Sequence, residues 1–134
     1  MDFRNASYKL DNHEITEEDL TEQILNLPCV YAIFQTQSKI FCLEVHNREN
    51  NAEITVALLF SNLQIAVEAT NLYNVPHDWF IAQWSSVEEA LQACLEVDVD
   101  GVALDSLPHG DTLNGLVIDK QSLQELVAIS LTGE

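Results

Sequence analysis

Residues 54–64 read ITVALLFSNLQ, and this stretch decides the fold class. Residues 54–60 form a nearly continuous apolar run, which is typical of a strand covered on both faces. Ser61 and Gln64 have the spacing of a capping box, so a helix is predicted to begin after the strand and to extend over residues 62–74. This helix is apolar nearly all round, and we expect it to be well buried.

A helix and a β-hairpin are predicted on the amino-terminal side of this stretch. Thr16 and Asp19 are spaced as a capping box and open a helix that Pro28 ends. Residues 29–36 and 39–46 are rich in Val, Ile, Tyr and Phe and predict two strands joined by a short link. Side chains alternate along the second strand. We expect one set to face the core, namely Phe41, Leu43 and Val45. The other set is expected to face away from it, namely Ile40, Cys42 and Glu44.

Helices and strands alternate on the carboxy-terminal side. Ser85 and Glu88 repeat the capping-box spacing and predict another helix, and Asp119 is expected to cap the last one. Three short apolar runs predict further strands, at residues 78–84, 101–105 and 115–118. Each passage from strand through helix to strand is long enough for a parallel crossover.

This order of elements predicts a single α+β domain. The domain is expected to span residues 16–134, with a mixed sheet of about five or six strands and helices packed against it. Residues 1–15 are polar and without periodicity, so we expect a loose amino-terminal arm there.

The composition excludes several classes of function. The 134 residues include 22 Asp and Glu against 5 Lys and Arg, a formal charge of −17, so contacts with nucleic acid or with an anionic membrane surface are unfavourable. A hydrophobic content of 47% excludes a disordered acidic tail. No Lys or Arg occurs in residues 49–119. That surface either keeps the domain dispersed or attracts a basic protein partner.

The sequence carries no sign of export or of a disulfide framework. Its first 20 residues have no apolar stretch followed by a small-residue cleavage site, and the three cysteines include no C-x-x-C pair. We therefore expect a soluble cytoplasmic protein that contains no cofactor.

Residues 99–127, VDGVALDSLPHGDTLNGLVIDKQSLQELV, resemble the end of the SseB-type N-terminal domain. The shared pattern is a helix, a D-G-hydrophobic strand, a Gly-containing turn, a second short strand and a final helix. A short uncharacterised domain family of cyanobacteria and chloroplasts has a similar order of elements. The chain departs from the SseB-like pattern in its acidic amino-terminal helix and in Asp105-Ser106, where that family more often has Asn-Pro. The resemblance implies an α+β fold and a non-catalytic accessory role.

Residues 96–101, EVDVDG, follow part of the pattern of a calcium-binding loop. Acids at alternate positions followed by glycine can direct oxygens toward one cation, but Leu107 stands where the loop requires a final bidentate glutamate. Turn chemistry at Gly101 also explains the pattern, because the chain must change there from helix to strand. The candidate cation ligands in this turn and the following loop are Asp98, Asp100, Asp105 and Asp111. Nearby His109 is the one histidine that this site could include.

The aromatic segment of residues 75–84 is the other candidate site. In a strand, Trp79 lies on the face opposite Phe80 and Trp84. Each tryptophan is either part of the core or, if its face is open, an anchor for a partner. The predicted partner-binding residues are Trp79, Trp84, Asp98, Asp100 and Asp105.

No catalytic constellation is visible in the sequence. Cys94 lies on the apolar side of its helix, and Cys42, although expected to point away from the core, has no histidine near it in the chain. We therefore expect a non-enzymatic protein, a small acidic cytoplasmic protein–protein interaction or accessory domain. The alternative is a regulatory domain that responds to a ligand or a divalent cation.

Overall fold

The computed structural model describes the backbone of residues 6–36, 39–47, 52–97, 99–109, 112–113 and 115–131. It describes the side chains of residues 9–35, 39–44, 53–97, 99–107 and 115–129. The helices within these ranges are α1 (Ala6–Asp11), α2 (Glu17–Leu25), α3 (Leu63–Leu72), α4 (Val87–Glu96) and α5 (Lys120–Leu131). The strands are β1 (Val30–Thr36), β2 (Lys39–Ile40), β3 (Cys42–Asn47), β4 (Ala52–Leu59), β5 (Phe80–Trp84), β6 (Gly101–Leu104), β7 (Pro108–His109), β8 (Thr112–Leu113) and β9 (Leu116–Asp119).

The predicted α+β fold is confirmed, but its strands form two main sheets. One has the order β2-β1-β5 and the other the order β3-β4-β6-β9, with β7 and β8 as a separate pair. Hydrogen bonds join the two sheets: Tyr31 and Phe60 exchange two at 2.8 Å, and the Phe41 amide donates to the Ile33 carbonyl at 2.8 Å. Since the Phe41 carbonyl in turn accepts from the Leu58 amide at 3.3 Å, the peptide groups of this residue contact both sheets.

The predicted parallel crossovers occur once among the described strands, between β4 and β6. The chain between them passes through α3, β5 and α4, and β5 pairs antiparallel with β1 instead of continuing the parallel sheet. The hairpin expected at the carboxy-terminal end is confirmed, because β6 pairs antiparallel with β9. The amino-terminal hairpin is shorter than predicted: only β2 pairs with β1, and the rest of the strand predicted at residues 39–46 forms β3, which pairs with β4 in the other sheet.

Two hydrophobic cores lie on opposite faces of the sheets. The first is closed by α2, α4 and α5, and its strand residues include Val30, Leu59 and Val102. The second is closed by α3 and includes Val56 and Phe60. Alternate residues of β4 point into the two cores, so this strand is covered on both faces, as its apolar run predicts.

The burial predicted for α3 is wrong. Ile65, Ala66 and Ala69 are buried, but Leu63 is 50% and Leu72 53% exposed. One sheet face covers one side of a helix, so the remaining apolar side chains are exposed unless another layer covers them. Apolar composition alone does not distinguish these cases.

The second strand of the hairpin contributes to both cores. Phe41 and Leu43 pack against the second core, as predicted, but Ile40 and Cys42 pack against the first core and do not point to solvent. Helices cover both faces at this point, so alternation separates two cores here. It does not separate core from solvent.

The helix starts are close to the predicted ones. The Thr16 capping box of α2 is confirmed, and the Asp119 carboxylate accepts from the Ser122 amide at 2.7 Å at the start of α5. Both other caps lie one residue later than predicted: Asn62 caps α3 in place of Ser61, and Ser86 caps α4 in place of Ser85.

The segment predicted as a loose arm contains α1. Leu10 of this helix and Ile15 after it pack against the first core. Short polar helices have little periodicity, so the pattern of residues 1–15 does not predict this one.

Candidate functional site

The two tryptophans lie on opposite faces of the sheet. Trp79 is partly buried in the second core and packs edge-on against Phe41, with ring centroids 5.3 Å apart. Trp84 is partly buried in the first core and packs edge-on against Phe34 at 5.1 Å. One flat contact surface therefore does not include both rings. Phe80, between them, is the more exposed aromatic side chain, at 48%.

The acidic side chains of the predicted turn do not converge on one point. Asp100 precedes β6 and Asp105 follows it, so five residue steps, or about 17 Å of extended chain, separate the two. Asp98 and Asp111, the other predicted ligands, lie outside the described residues, as does the side chain of His109. Within the described part of the chain, no three His, Cys, Asp or Glu side chains are grouped to hold a metal ion. Asp100 and Asp105 cannot bind the same ion in this arrangement.

Asp105 is buried and has a structural partner. Its carboxylate accepts hydrogen bonds from the Ser61 amide at 2.7 Å and from the Ser61 hydroxyl at 2.6 Å. Its backbone amide donates to the Leu59 carbonyl at 2.9 Å. The residue is 0% exposed, so its side chain is not accessible to a protein partner. These bonds connect the ends of the parallel strands β4 and β6.

Other polar groups surround this end of β6. The Tyr73 hydroxyl donates to the Ser106 carbonyl at 2.8 Å, and burial raises the pKa of Tyr73 to about 12. The Ser106 hydroxyl oxygen is buried and has no hydrogen-bond partner among the described residues. It lies 2.7 Å from where a Cβ on Gly115 would stand, and Gly115 has a φ of 91°. The positive φ and the close packing of Gly115 show a tight backbone turn here.

Two of the three cysteines, Cys42 and Cys94, are poorly suited to nucleophilic catalysis. Burial, and to a smaller extent the neighbouring Cys42, raises the pKa of the Cys94 thiol to about 12. Burial also raises the pKa of Cys42. This residue was expected to point away from the core, but it is partly buried in the first core. A raised pKa disfavours the reactive thiolate.

A groove runs beside α2, between that helix and α5. One part encloses about 240 Å³ and a neighbouring part about 580 Å³, and both are lined by Glu17, Thr21 and Ile129. We call this the α2 groove. Its apolar lining residues are Leu10, Leu20, Ile24, Leu25, Leu116, Val117, Ile118, Leu126 and Ile129. Ile129 is 40% exposed, so part of this apolar surface is open to solvent.

Five carboxylates line the same groove: Glu17, Glu18, Glu22, Asp119 and Glu125. No Lys, Arg or His is among the lining residues that the structure describes. The positions of three of the acids have a local explanation, since Glu17 and Glu18 lie in the first turn of α2 and Asp119 caps α5. Glu22 and Glu125 lie further along their helices, where the helix dipole gives no such benefit.

Glu18 and Glu22 also oppose each other. They are four residues apart on α2, a spacing at which two like charges destabilise an isolated helix by a few tenths of a kcal/mol. The helix contains no Lys or Arg to offset them. The α2 groove therefore combines an apolar floor with an uncompensated negative rim.

No pattern in the sequence predicts this groove. Its lining comes from α1, α2, β9 and α5, and no local pattern shows that these elements meet. The signal within α2 was the pair Glu18 and Glu22, which capping does not explain. Comparison with protein-family models and with curated proteins gave no match for the chain.

Proposed function

We propose that this chain is a small acidic cytoplasmic domain without catalytic activity that binds a basic, amphipathic segment of a partner protein in the α2 groove. The observation that carries the proposal is the apolar floor of that groove beneath five carboxylates, with no basic side chain among the described lining residues.

An amphipathic segment fits both properties of the groove. Its apolar side chains would cover the accessible apolar surface of Leu25, Val117 and Ile129, which gains about 25 cal/mol for each Å² removed from water. Its Lys or Arg residues would lie over Glu18, Glu22 and Glu125 and relieve their mutual repulsion. Helical segments that lie in apolar grooves bind other proteins in this way.

The overall charge supports a basic partner. A formal charge of −17 attracts a cationic segment at long range and raises its association rate, an effect that salt weakens. The three cysteines are free, which suits a reducing compartment. The resemblance of the carboxy-terminal part to SseB-type N-terminal domains also supports an accessory role.

The membrane is a less suitable partner. None of the described helices is both long and apolar enough to cross a bilayer. The carboxylates of the α2 groove would also face the phosphates of an anionic membrane surface unfavourably.

Selection from a random library of 16-residue peptides tests the proposal, and it does not require that the natural partner be identified. We expect the immobilised protein to enrich peptides with Lys or Arg on one helical face and apolar residues on the other. Calorimetry with an enriched peptide should show affinity falling about tenfold or more between 50 and 500 mM NaCl. Absence of enrichment, or enrichment of acidic peptides, would contradict the proposal.

Charge-reversal variants test whether the peptide binds in the α2 groove. The double variant Glu18→Lys/Glu22→Lys should no longer bind the enriched peptide, and Ile129→Ser should bind it with lower affinity. The double variant Glu44→Lys/Glu53→Lys is the matched control, because it changes the charge equally and both residues are exposed, on β3 and β4, outside the groove lining. Equal losses for the control and for Glu18→Lys/Glu22→Lys would show general charge attraction without a groove.

A further inference from the structure

Strand β5 lies at the edge of its sheet. It pairs with β1 on one side, from Phe80 opposite Phe34 to Trp84 opposite Val30. It is the last strand in the order β2-β1-β5, so no described strand pairs with its other side. The edge is five residues long, with the sequence FIAQW.

The hydrogen bonds of β1 show which groups of β5 point outward. Tyr31 exchanges its backbone bonds with Phe60, and the Ile33 carbonyl accepts from Phe41, so both face away from β5. In an antiparallel ladder, residues opposite such positions also turn their amides and carbonyls away from the shared side. Ile81 and Gln83 are the residues opposite Ile33 and Tyr31. Their amide and carbonyl groups therefore point to the outer edge, where they pair with none of the residues that the structure describes.

The sequence of this edge lacks the charged residues and the proline that commonly protect an edge strand against pairing. Strand β9, at the end of the other sheet, is shorter, ends in Asp119 and contacts α1. The exposed Phe80 adds apolar surface at the start of β5.

We propose that β5 pairs antiparallel with β5 of a second copy of this chain, with the two Ala82 residues opposite each other. In this register Ile81 of each copy lies opposite Gln83 of the other copy. Each such pair exchanges two hydrogen bonds. All four outward groups of each strand are then satisfied, which makes the edge self-complementary about a two-fold axis.

The same register pairs the aromatic side chains. Phe80 lies opposite Trp84 of the second copy, at a pair without hydrogen bonds, where side chains approach most closely. Within one copy, Phe34 already contacts both of these rings, at centroid distances of 6.2 and 5.1 Å. Pairing therefore joins two aromatic clusters across the axis and covers the exposed Phe80.

The charge of the chain determines how this pairing responds to salt. The paired strands carry no charge, but two copies with a formal charge of −17 each repel one another as whole bodies. Salt screens that repulsion, so the dimer should tighten as ionic strength rises. The binding of basic peptides in the α2 groove should instead become weaker as ionic strength rises. The opposite response to salt therefore distinguishes the two kinds of association.

Sedimentation of Gln83→Pro and Gln83→Ala tests the pairing. Proline removes the outward amide of Gln83 and leaves the amides that bond to β1, whereas alanine removes the side chain alone. We expect the wild type and Gln83→Ala to dimerise with similar dissociation constants, and Gln83→Pro to raise that constant at least about tenfold. A wild type that stays monomeric at about 1 mM in 500 mM NaCl would overturn the proposal.

Amide hydrogen exchange of the wild type gives an answer even if Gln83→Pro does not fold. The amides of Ile81 and Gln83 should exchange more slowly as protein concentration rises, while those of Ala82 and Trp84, which bond to β1, should not change. Dimerisation that leaves the exchange of Ile81 and Gln83 unchanged would show that another surface forms the contact.

Discussion

The two ends of β6 use the same chemistry in different environments. At its start, the Asp100 carboxylate accepts from the Thr55 amide at 2.9 Å, and the Asp100 amide donates to the Thr55 carbonyl at 2.8 Å. At its end, Asp105 makes the corresponding contacts with Ser61 and Leu59. Asp100 is exposed, whereas Asp105 is fully buried.

This comparison shows why an acidic residue near a turn is not by itself a ligand-binding residue. Each aspartate connects β6 to β4, the one parallel pair among the described strands. Water competes for the hydrogen bond at the exposed end, while at the buried end a lost partner leaves polar groups unsatisfied. The same bond should therefore contribute very differently to stability at the two ends.

Replacement of Asp105 should have the largest effect. Asp105→Ala leaves the buried Ser61 amide without its acceptor and should lower the free energy of unfolding by about 3 kcal/mol, measured by urea denaturation. Ser61→Ala should cost about 1 kcal/mol, because the amide of residue 61 keeps its acceptor. The two changes should be strongly non-additive in the double variant, and a loss below about 1 kcal/mol for Asp105→Ala would contradict its structural role.

Gly115→Ala should have the next largest effect at the same end. Gly115 has a φ of 91°, and a Cβ there would stand 2.6 Å from the Leu104 carbonyl oxygen. We expect a loss of about 2 kcal/mol in thermal or urea unfolding. Gly115→Asn is the control, because asparagine also adds a Cβ but tolerates positive φ better than alanine. If the contact of the Cβ is the cause, the Asn variant should be as destabilised as the Ala variant. A clearly milder Asn variant would assign the effect to the backbone angle.

Tyr73→Phe should cost about 1 kcal/mol at pH 7, because it removes the hydrogen bond to Ser106. The variant should also change the response to alkali. Tyr73 has a pKa of about 12 in the folded chain against 10.0 for a free tyrosine, so its contribution is present below pH 10 and is lost as the pH rises toward 12. Stability followed across this range should fall more steeply for the wild type than for Tyr73→Phe, and parallel curves would contradict the assignment.

Asp100→Ala should have the smallest effect. The exposed bond to Thr55 is replaced by water, so we expect a loss of about 0.5 kcal/mol under the same urea conditions. If Asp100→Ala and Asp105→Ala destabilise the protein equally, burial does not distinguish the two ends of β6.

The sequence predicted the local features of the fold well. Capping residues act within three positions of one another, and so Thr16 and Asp119 marked the starts of α2 and α5 correctly. Where two suitable residues are adjacent, as at Ser61 and Asn62, tertiary contacts decide which of them caps the helix. Asp105 binds Ser61, and Asn62 becomes the cap.

The candidate sites depended on contacts that local patterns do not contain. Ser61 and Asp105 are 44 positions apart, so a local pattern placed Asp105 in an acidic turn and not in a buried pair. The α2 groove likewise needs α2 and α5, which lie at opposite ends of the chain. Of its two acids without a local explanation, Glu22 is marked in the sequence only by its spacing from Glu18, and Glu125 carries no local signal.

The order of the strands along the chain has a consequence for cooperativity. One sheet uses β1, β2 and β5, and the other uses β3, β4, β6 and β9, so the two are interleaved in sequence. Cutting the chain at any one point therefore cannot place one whole sheet in the first fragment and the other whole sheet in the second. Neither half can act as an autonomous folding unit, and the molecule should melt in one all-or-none step.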